Sequence, residues 1–213
     1  MKILYIEAQQ KLGKNEAYFI DPNFIRGLPK DVYIVYTIQF KGQAIAMRDA
    51  LKKHGNTIRG FSQVLGCTKL KTPYTILLIG QGHFHALNLA LQNPQHPVLL
   101  YSNGSSLAVG AREIEKYQVN KKNALNLFFA SDKIGILVST KPGQENLNGA
   151  KQLAKKIEKK YSEKRVFIFV SNNISTHEFQ NFDVPVFINT ACIGLAYDSP
   201  KILNSDDILE FLG

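Results

Sequence analysis

Phe187-Ile188-Asn189-Thr190-Ala191-Cys192, near the C-terminus, decides how this 213-residue chain is read. The apolar run from Val184 to Ile188 has the length and composition of a buried strand, and the sequence turns polar where it delivers a thiol. In open α/β sheets the loops after the strands line the ligand crevice, so a cysteine there is well placed for chemistry. The one other cysteine, Cys67, follows a strand-like stretch from Gly60 to Leu65, in the context Gln63-Val64-Leu65-Gly66-Cys67-Thr68. The two thiols are therefore expected at equivalent places in two related units.

Outward from that stretch, strand and helix signals alternate. Lys2 to Ala8, Asp31 to Ile38, Thr57 to Leu65, Tyr74 to Ile79, Pro97 to Tyr101, Lys133 to Ser139 and Val166 to Val170 read as strands, and Asp21 to Pro29 as an irregular connection. Ala44 to His54 places Ile45, Met47, Ala50 and Leu51 at helical spacing and stops at Gly55, which predicts an amphipathic helix with a left-handed cap. Further helices are predicted over Phe84 to Leu91, Ala111 to Tyr117, Lys121 to Ser131, Glu145 to Tyr161 and Asp206 to Leu212, the last with Ser205 as N-cap. His177 to Phe182 reads as a short helix or turn. The alternation implies an α/β fold of two related three-layer α/β domains with mostly parallel sheets. The breaker cluster Asn103-Gly104-Ser105-Ser106 divides them into 1–103, carrying Cys67, and 104–213, carrying Cys192. A Gly-Gln pair precedes a helix in each half, at Gly42-Gln43 and Gly143-Gln144, as a duplication would leave it.

A hydrophobic share of 45% is ordinary for a globular protein, and the net charge of +9 permits an acidic partner or RNA. The basic residues are spread widely. Their local density from Lys151 to Arg165 reads as the solvated face of a helix. Glu7 interrupts the N-terminal apolar run before it reaches signal-peptide length, and no window approaches the roughly 18 apolar residues of a membrane span. A cytoplasmic protein is expected. Two cysteines in that compartment are inert core thiols, metal or cluster ligands, or nucleophiles, for which His83, His85 and His177 are available as bases without a local signature that pairs them.

Gly80-Gln81-Gly82-His83-Phe84-His85 stands between a strand and a helix, where glycines let a ligand approach the backbone and the helix N-terminus offers free N–H groups. The third glycine of a dinucleotide fingerprint is missing, because position 85 is histidine. The alternative is a tight turn with His85 hydrogen-bonded in the core. Lys141 and Gln144, at the start of another helix, can bind a carboxylate or phosphate or simply face water. The sequence holds no Walker lysine motif, no H-E-x-x-H and no nucleophile-elbow serine.

Val64-Leu65-Gly66-Cys67-Thr68, Gly80 to His85, Ser139-Thr140-Lys141-Pro142-Gly143-Gln144 and Val186 to Cys192 occur in the order seen in the diphthamide synthase family. Thr37-Ile38-Gln39-Phe40 and Ser171-Asn172-Asn173-Ile174-Ser175 resemble it too, so the likeness spans almost the whole chain. The resemblance implies three related α/β domains, each giving one cysteine to a single [4Fe–4S] cluster. That cluster cleaves S-adenosylmethionine to a 3-amino-3-carboxypropyl radical, which adds to a histidine of translation elongation factor 2. Cys67 and Cys192 are then the second- and third-domain ligands, with one iron left open for substrate. Gly80, Gln81, Gly82, His85, Lys141, Gly143 and Gln144 become candidates for holding S-adenosylmethionine.

Two departures from the family pattern stand out. The chain starts where the second domain would start, so the first domain and its cysteine are expected from a separate polypeptide. After Cys192 the family continues with Pro-Arg, whereas Ile193-Gly194 stand here, so any anion held by that arginine loses its partner. The implied partners are the elongation factor and the chain with the missing domain. A homodimer like that of archaeal relatives stays open, and nucleic acid is expected only through the elongation factor. The competing readings are a non-catalytic binding protein that keeps the fold, and a two-thiol zinc or redox protein.

Overall fold

A computed structural model describes residues 18–102, 104–179, 181–197 and 199–213. The expected first strand, Lys2 to Ala8, lies outside the described residues. The chain divides into two compact units between Ile114 and Glu115.

In the N-terminal unit, Asp21 accepts a hydrogen bond from the Asn23 N–H and caps a short helix, α1 (Pro22–Arg26), within the segment read as irregular. Then come β1 (Asp31–Tyr36), a 3-10 turn over Ile38–Phe40, and α2 (Lys41–His54), which Gly55 closes at φ +96° as its position predicts. Gly42 and Gln43 lie in the first turn of α2 and are helical. The unit continues with β2 (Thr57–Gln63), β3 (Thr75–Ile79), α3 (His83–Gln92), β4 (Val98–Ser102) and β5 (Ser105–Ala108).

The sheet order is β2-β1-β3-β4-β5, and every pair is parallel except β4 with β5. Gly104, at φ +85°, precedes an edge strand of this first sheet. Alternate strand residues face two cores. Val32, Ile34, Leu77 and Ile79 pack with Met47 and Leu51 of α2, while Val35, Ile76 and Leu78 pack with Ala86 and Leu89 of α3. A parallel sheet buried on both faces explains why these strands read as continuous apolar runs.

A single helix, α4 (Ala111–Ala130), replaces the two shorter ones expected. In the C-terminal unit follow β6 (Lys133–Ser139), α5 (Leu147–Lys160), β7 (Arg165–Ser171), a 3-10 turn over Thr176–Phe179, and β8 (Val186–Asn189). A 3-10 turn over Ile193–Ala196, β9 (Ile202–Asn204) and α6 (Ser205–Leu209) complete it. The all-parallel order is β7-β6-β8-β9. Ala150, Leu153, Ala154 and Ile157 of α5 pack with Phe128, Ile134, Ile136, Val138 and Ile188. On the opposite face Leu137, Phe187 and Ile202 meet Phe179 and Ala196, which the 3-10 turns supply. Lys151, Lys155, Lys156, Lys159 and Lys160 lie exposed along α5, the solvated face that the charge pattern predicts. Lys164 is the exception. It is buried at 4% exposure, with Nζ donating to the Phe129 and Ser131 carbonyls at the C-terminal end of α4 and lying over the Phe128 and Tyr161 rings.

The two units share a strand plan. In each, the first strand is central, the second lies to one side, and the third and fourth lie to the other. The duplication is thus carried by topology more clearly than by the Gly-Gln pairs. It also corrects the placement of the thiols. Cys67 follows the second strand of its unit, whereas Cys192 follows the third, so their places are not equivalent. The counterpart of the Cys192 loop is the Gly80 to His85 turn, and that of the Cys67 loop is the 172–175 stretch.

Candidate functional site

Parallel strands bring their C-terminal ends to one edge of the sheet, and in the N-terminal unit that edge collects the family motifs. The order reverses at β1, between β2 and β3, which makes this edge the topological switch point where ligands bind in open α/β sheets. A cavity of about 350 Å³ opens there, lined by Thr37 to Phe40 after β1, Val64 and Leu65 after β2, and Gln81 and His85 after β3. The volume is near the lower limit of small-molecule sites.

Two predicted residues, Gln81 and His85, line this cavity, and two others shape it. A Cβ on Gly80 would stand 3.0 Å from Thr37 Oγ1, so the missing side chain lets the turn lie against the loop after β1. Gly82 holds φ +92° ahead of α3 and makes no side-chain cap bond, which leaves the first N–H groups of the helix directed at this edge. Burial lowers the His85 pKa, and its buried Nδ1 lacks a hydrogen-bond partner among the described residues. Gln43, 1% exposed in the first turn of α2, has an unpartnered Oε1 on the same terms. Unsatisfied buried polar atoms are costly, and beside a cavity they mark where a ligand's polar groups can be received. The lining has amides, a hydroxyl and an imidazole but no charged side chain, so it suits neutral hydrogen bonding better than capture of a bare phosphate. Gln43 itself is not among the residues that line the cavity.

Cys67 is exposed just beyond this cavity, in a loop tied to α3. Asn88 Nδ2 donates to the Gly66 and Thr68 carbonyls at 2.9 and 3.3 Å, and Gln92 Nε2 donates to the Thr68 carbonyl at 3.0 Å. Thr68 Oγ1 accepts from the Leu65 N–H at 2.7 Å, closing the turn around the cysteine. The Phe84 ring lies against Gly66, filling the space that a side chain there would need.

In the C-terminal unit the corresponding edge holds Cys192, half-buried. Asn189, at the end of β8, donates from Nδ2 to the Cys192 carbonyl and to Asn204 Oδ1, each at 2.8 Å, and accepts from the Ala191 N–H at 2.9 Å. Behind the loop, Tyr117 and Tyr197 meet edge to face at 4.6 Å, and Lys121 pairs with Asp207 at 2.6 Å. Burial, reinforced by the Asp207 charge, pushes the Tyr117 phenol up to about 12. Tyr197 is raised as well, by burial first and then by Tyr117, Asp207 and Cys192.

Lys141, Gly143 and Gln144 lie in an exposed turn of this unit, where the Gln144 N–H donates to the Lys141 carbonyl and Gly143 holds φ +80°. A cavity of about 720 Å³ in this unit is at the other end of the sheet. Phe179, Phe182, Phe187, Pro185, Pro200 and Ile202 line it where β8 and β9 begin, and no cysteine borders it. Chemistry favours the smaller site, because it sits at the motif-bearing edge.

Neither unit gathers a metal site on its own: among the described residues no three His, Cys, Asp or Glu side chains converge. A [4Fe–4S] cluster takes thiolates, usually four, or three with one iron open. The two cysteines fit that group in donor type and in placement at strand ends, and fall short of it in number. Among the described residues no helix is long and apolar enough to cross a membrane.

The family described as "Putative diphthamide synthesis protein" matches residues 1–202. The chain is similar to 2-(3-amino-3-carboxypropyl)histidine synthase of Pyrococcus horikoshii, with 27% identity over 203 residues, covering 89% of this chain and 58% of that protein. It is also similar to subunit 1 of the same synthase from Kluyveromyces lactis, with 25% identity over 215 residues, covering 93% of this chain and 50% of that one. Among solved structures, Dph2 from Pyrococcus horikoshii superimposes with a TM-score of 0.72 at 26% identity over 90% of this chain and 60% of that one. The same protein with a 4Fe-4S cluster matches equally well. The chain thus spans 50 to 58% of the length of these curated relatives.

Proposed function

The chain belongs to the diphthamide synthesis family, and from that membership we propose that it provides two of the thiolates of a 2-(3-amino-3-carboxypropyl)histidine synthase, Cys67 and Cys192. The observation that carries this reading is the placement of each thiol at the C-terminal edge of a parallel sheet, in a loop whose backbone is held by buried or partly buried amides. An inert core cysteine needs neither the exposure nor the clamps. A third thiolate comes from outside these 213 residues, and we assign it to a further domain of the same family.

When bound, the cluster supplies the electron that splits S-adenosylmethionine and frees the 3-amino-3-carboxypropyl group for a histidine of translation elongation factor 2. This chain's own residues bind and orient. Gln81, His85, Thr37 and Gln39 offer neutral hydrogen bonds to the polar end of S-adenosylmethionine, and Gly80 and Gly82 open the backbone to it. Lys141, Gly143 and Gln144 form a second, exposed contact for the cofactor or protein substrate. The net charge of +9 favours an acidic protein surface as partner. The proposed compartment is the cytoplasm.

The test is anaerobic purification of the full chain, alone and with a family partner carrying the first domain. Iron, acid-labile sulfide and electron paramagnetic resonance are then measured for the wild type, Cys67→Ala and Cys192→Ala. Loss of the cluster in both variants supports the reading. Undiminished iron in both overturns it, and stoichiometric zinc without sulfide replaces it with a thiolate zinc site.

A further inference from the structure

We propose that Asn189 and Asn204 are positioning residues that hold the Cys192 loop in one ligand-ready conformation. The inference rests on the reading of Cys192 as a cluster ligand and adds residues that the motifs do not assign. Asn189 and Asn204 end adjacent strands and face each other in register. Both are buried, at 2% and 8% exposure, in places where apolar residues would normally complete the sheet. Burying two amides is unfavourable unless their hydrogen bonds are made, and here the bonds are made to the cysteine loop.

Residue by residue, the loop has little freedom. Thr190 is tied to β6 through its N–H and hydroxyl, both donating to the Leu137 carbonyl. Asn189 receives the Ala191 N–H on Oδ1 and donates from Nδ2 to the Cys192 carbonyl. Asn204 Nδ2 donates to the Ile193 carbonyl at 3.2 Å. The amide orientations are fixed by this pattern: a reversed Asn189 would set its oxygen against the Cys192 carbonyl. Asn204 is anchored in turn, since it caps α6 reciprocally with Asp207, and Asp207 pairs with Lys121 of α4. The restraint therefore runs from α4 through Asp207, Asn204 and Asn189 to the backbone on both sides of the thiol. None of these bonds ends on the sulfur.

A pre-held thiol loses less entropy on binding metal, and its fixed direction sets the geometry of the bond it makes. This separates positioning from mere stability, because a clamp should affect the cluster as well as the fold. Asn189→Ala and Asn204→Ala are compared with Asn146→Ala, which removes the cap bond to Gly149 at the start of α5. In the metal-free full chain, amide exchange at 191–195 should rise about tenfold or more in the two clamp variants, the loss expected for one buried hydrogen bond or more. Cys67 serves as internal reference, and the ratio of Cys192 to Cys67 alkylation should rise by a similar factor. In the reconstituted complex the same variants should shift the cluster's reduction potential and shorten its half-life, with Asn146→Ala changing neither.

Unchanged exchange and alkylation at the loop overturn the proposal, as does altered exchange with an unaltered cluster potential and half-life. A wild-type complex without iron instead overturns the cluster reading, which keeps the two failures apart.

Discussion

Replacing Gly66 by alanine tests whether the Cys67 loop and α3 are fitted to each other. Gly66 is outside the positive-φ glycines, so the effect is steric. A Cβ built there overlaps Phe84 Cε1 and stands 2.7 Å from Cζ. One way out is to rotate Phe84, which meets His85 edge to face at 5.2 Å, at about 0.5–1.5 kcal/mol for an off-rotamer ring. The other is to move the loop and lose the Asn88 bond to the Gly66 carbonyl, worth about 1 kcal/mol net. Overpacking of this kind costs about 1–3 kcal/mol in general. The stiffer unfolded chain returns about 0.4–1 kcal/mol, leaving a net loss of about 1–2 kcal/mol. Gly27→Ala in the same unit is the control: its nearest neighbours, the Phe24 and Asn23 carbonyl oxygens, lie at ordinary contact, 3.6 and 3.8 Å. That variant should be neutral or slightly stabilising. Urea unfolding of both full-length variants, read at equal slope, gives the difference, and Cys67 alkylation reports whether the loop moved. Equal stability of the two variants to within about 0.5 kcal/mol would refute the fitted contact.

Three further outcomes follow from other contacts. Lys164→Met should cost about 2–3 kcal/mol, because it strips the charged donor from the Phe129 and Ser131 carbonyls, and denaturant unfolding of the full chain would read it. An unchanged midpoint would mean that water replaces the ammonium there. Burial lowers the His85 pKa, so the unfolded chain binds the proton more readily, and the stabilising contribution present above the ordinary value of 6.5 is lost as pH falls through the depressed folded value. An imidazole NMR titration should place the His85 midpoint below 6.5, and a midpoint at or above that value contradicts the buried ring. Gly135→Ala should destabilise the C-terminal unit, since a Cβ there overlaps Phe187 and approaches Phe169 Cε2 to 3.1 Å; calorimetry of the full chain would show it, and an unchanged transition would count against this packing.

The sequence made some elements legible because their physics is local. Lys133 to Ser139 is a strand at both predicted ends, since all but its first residue are buried and the run is continuously apolar. Gly55 ends α2 because its backbone needs a left-handed conformation. Other elements depend on tertiary partners. β5 is exposed along its whole length, so it has no alternation to read, and its Ser-rich start resembles a boundary. α4 runs unbroken through Val119 and Asn120, where propensity is low; Asn120 donates to the Tyr197 carbonyl and Tyr117 packs on the Tyr197 ring. α6 takes Asn204 as its cap where Ser205 was expected.

The candidate site divides along the same line. The glycine turn and both cysteines stand out as motifs, but nothing in the sequence marks the side chains of Asn88, Asn189 and Asn204 until they are seen buried against the thiol loops. The equivalence of the two cysteines failed because a repeat in sequence says nothing of which strand end each loop follows.

The most direct measurement is the distance between Cys67 and Cys192 themselves, the only cysteines of these 213 residues, which accept a pair of spin labels without mutation when the chain is labelled before it is mixed with its partner. Two ligands of one cubane lie within about 10 Å of each other. Dipolar spectroscopy on the full chain with its family partner, before cluster loading, should therefore give a distribution consistent with that sulfur separation. A single narrow population at several times that distance would contradict a shared cluster.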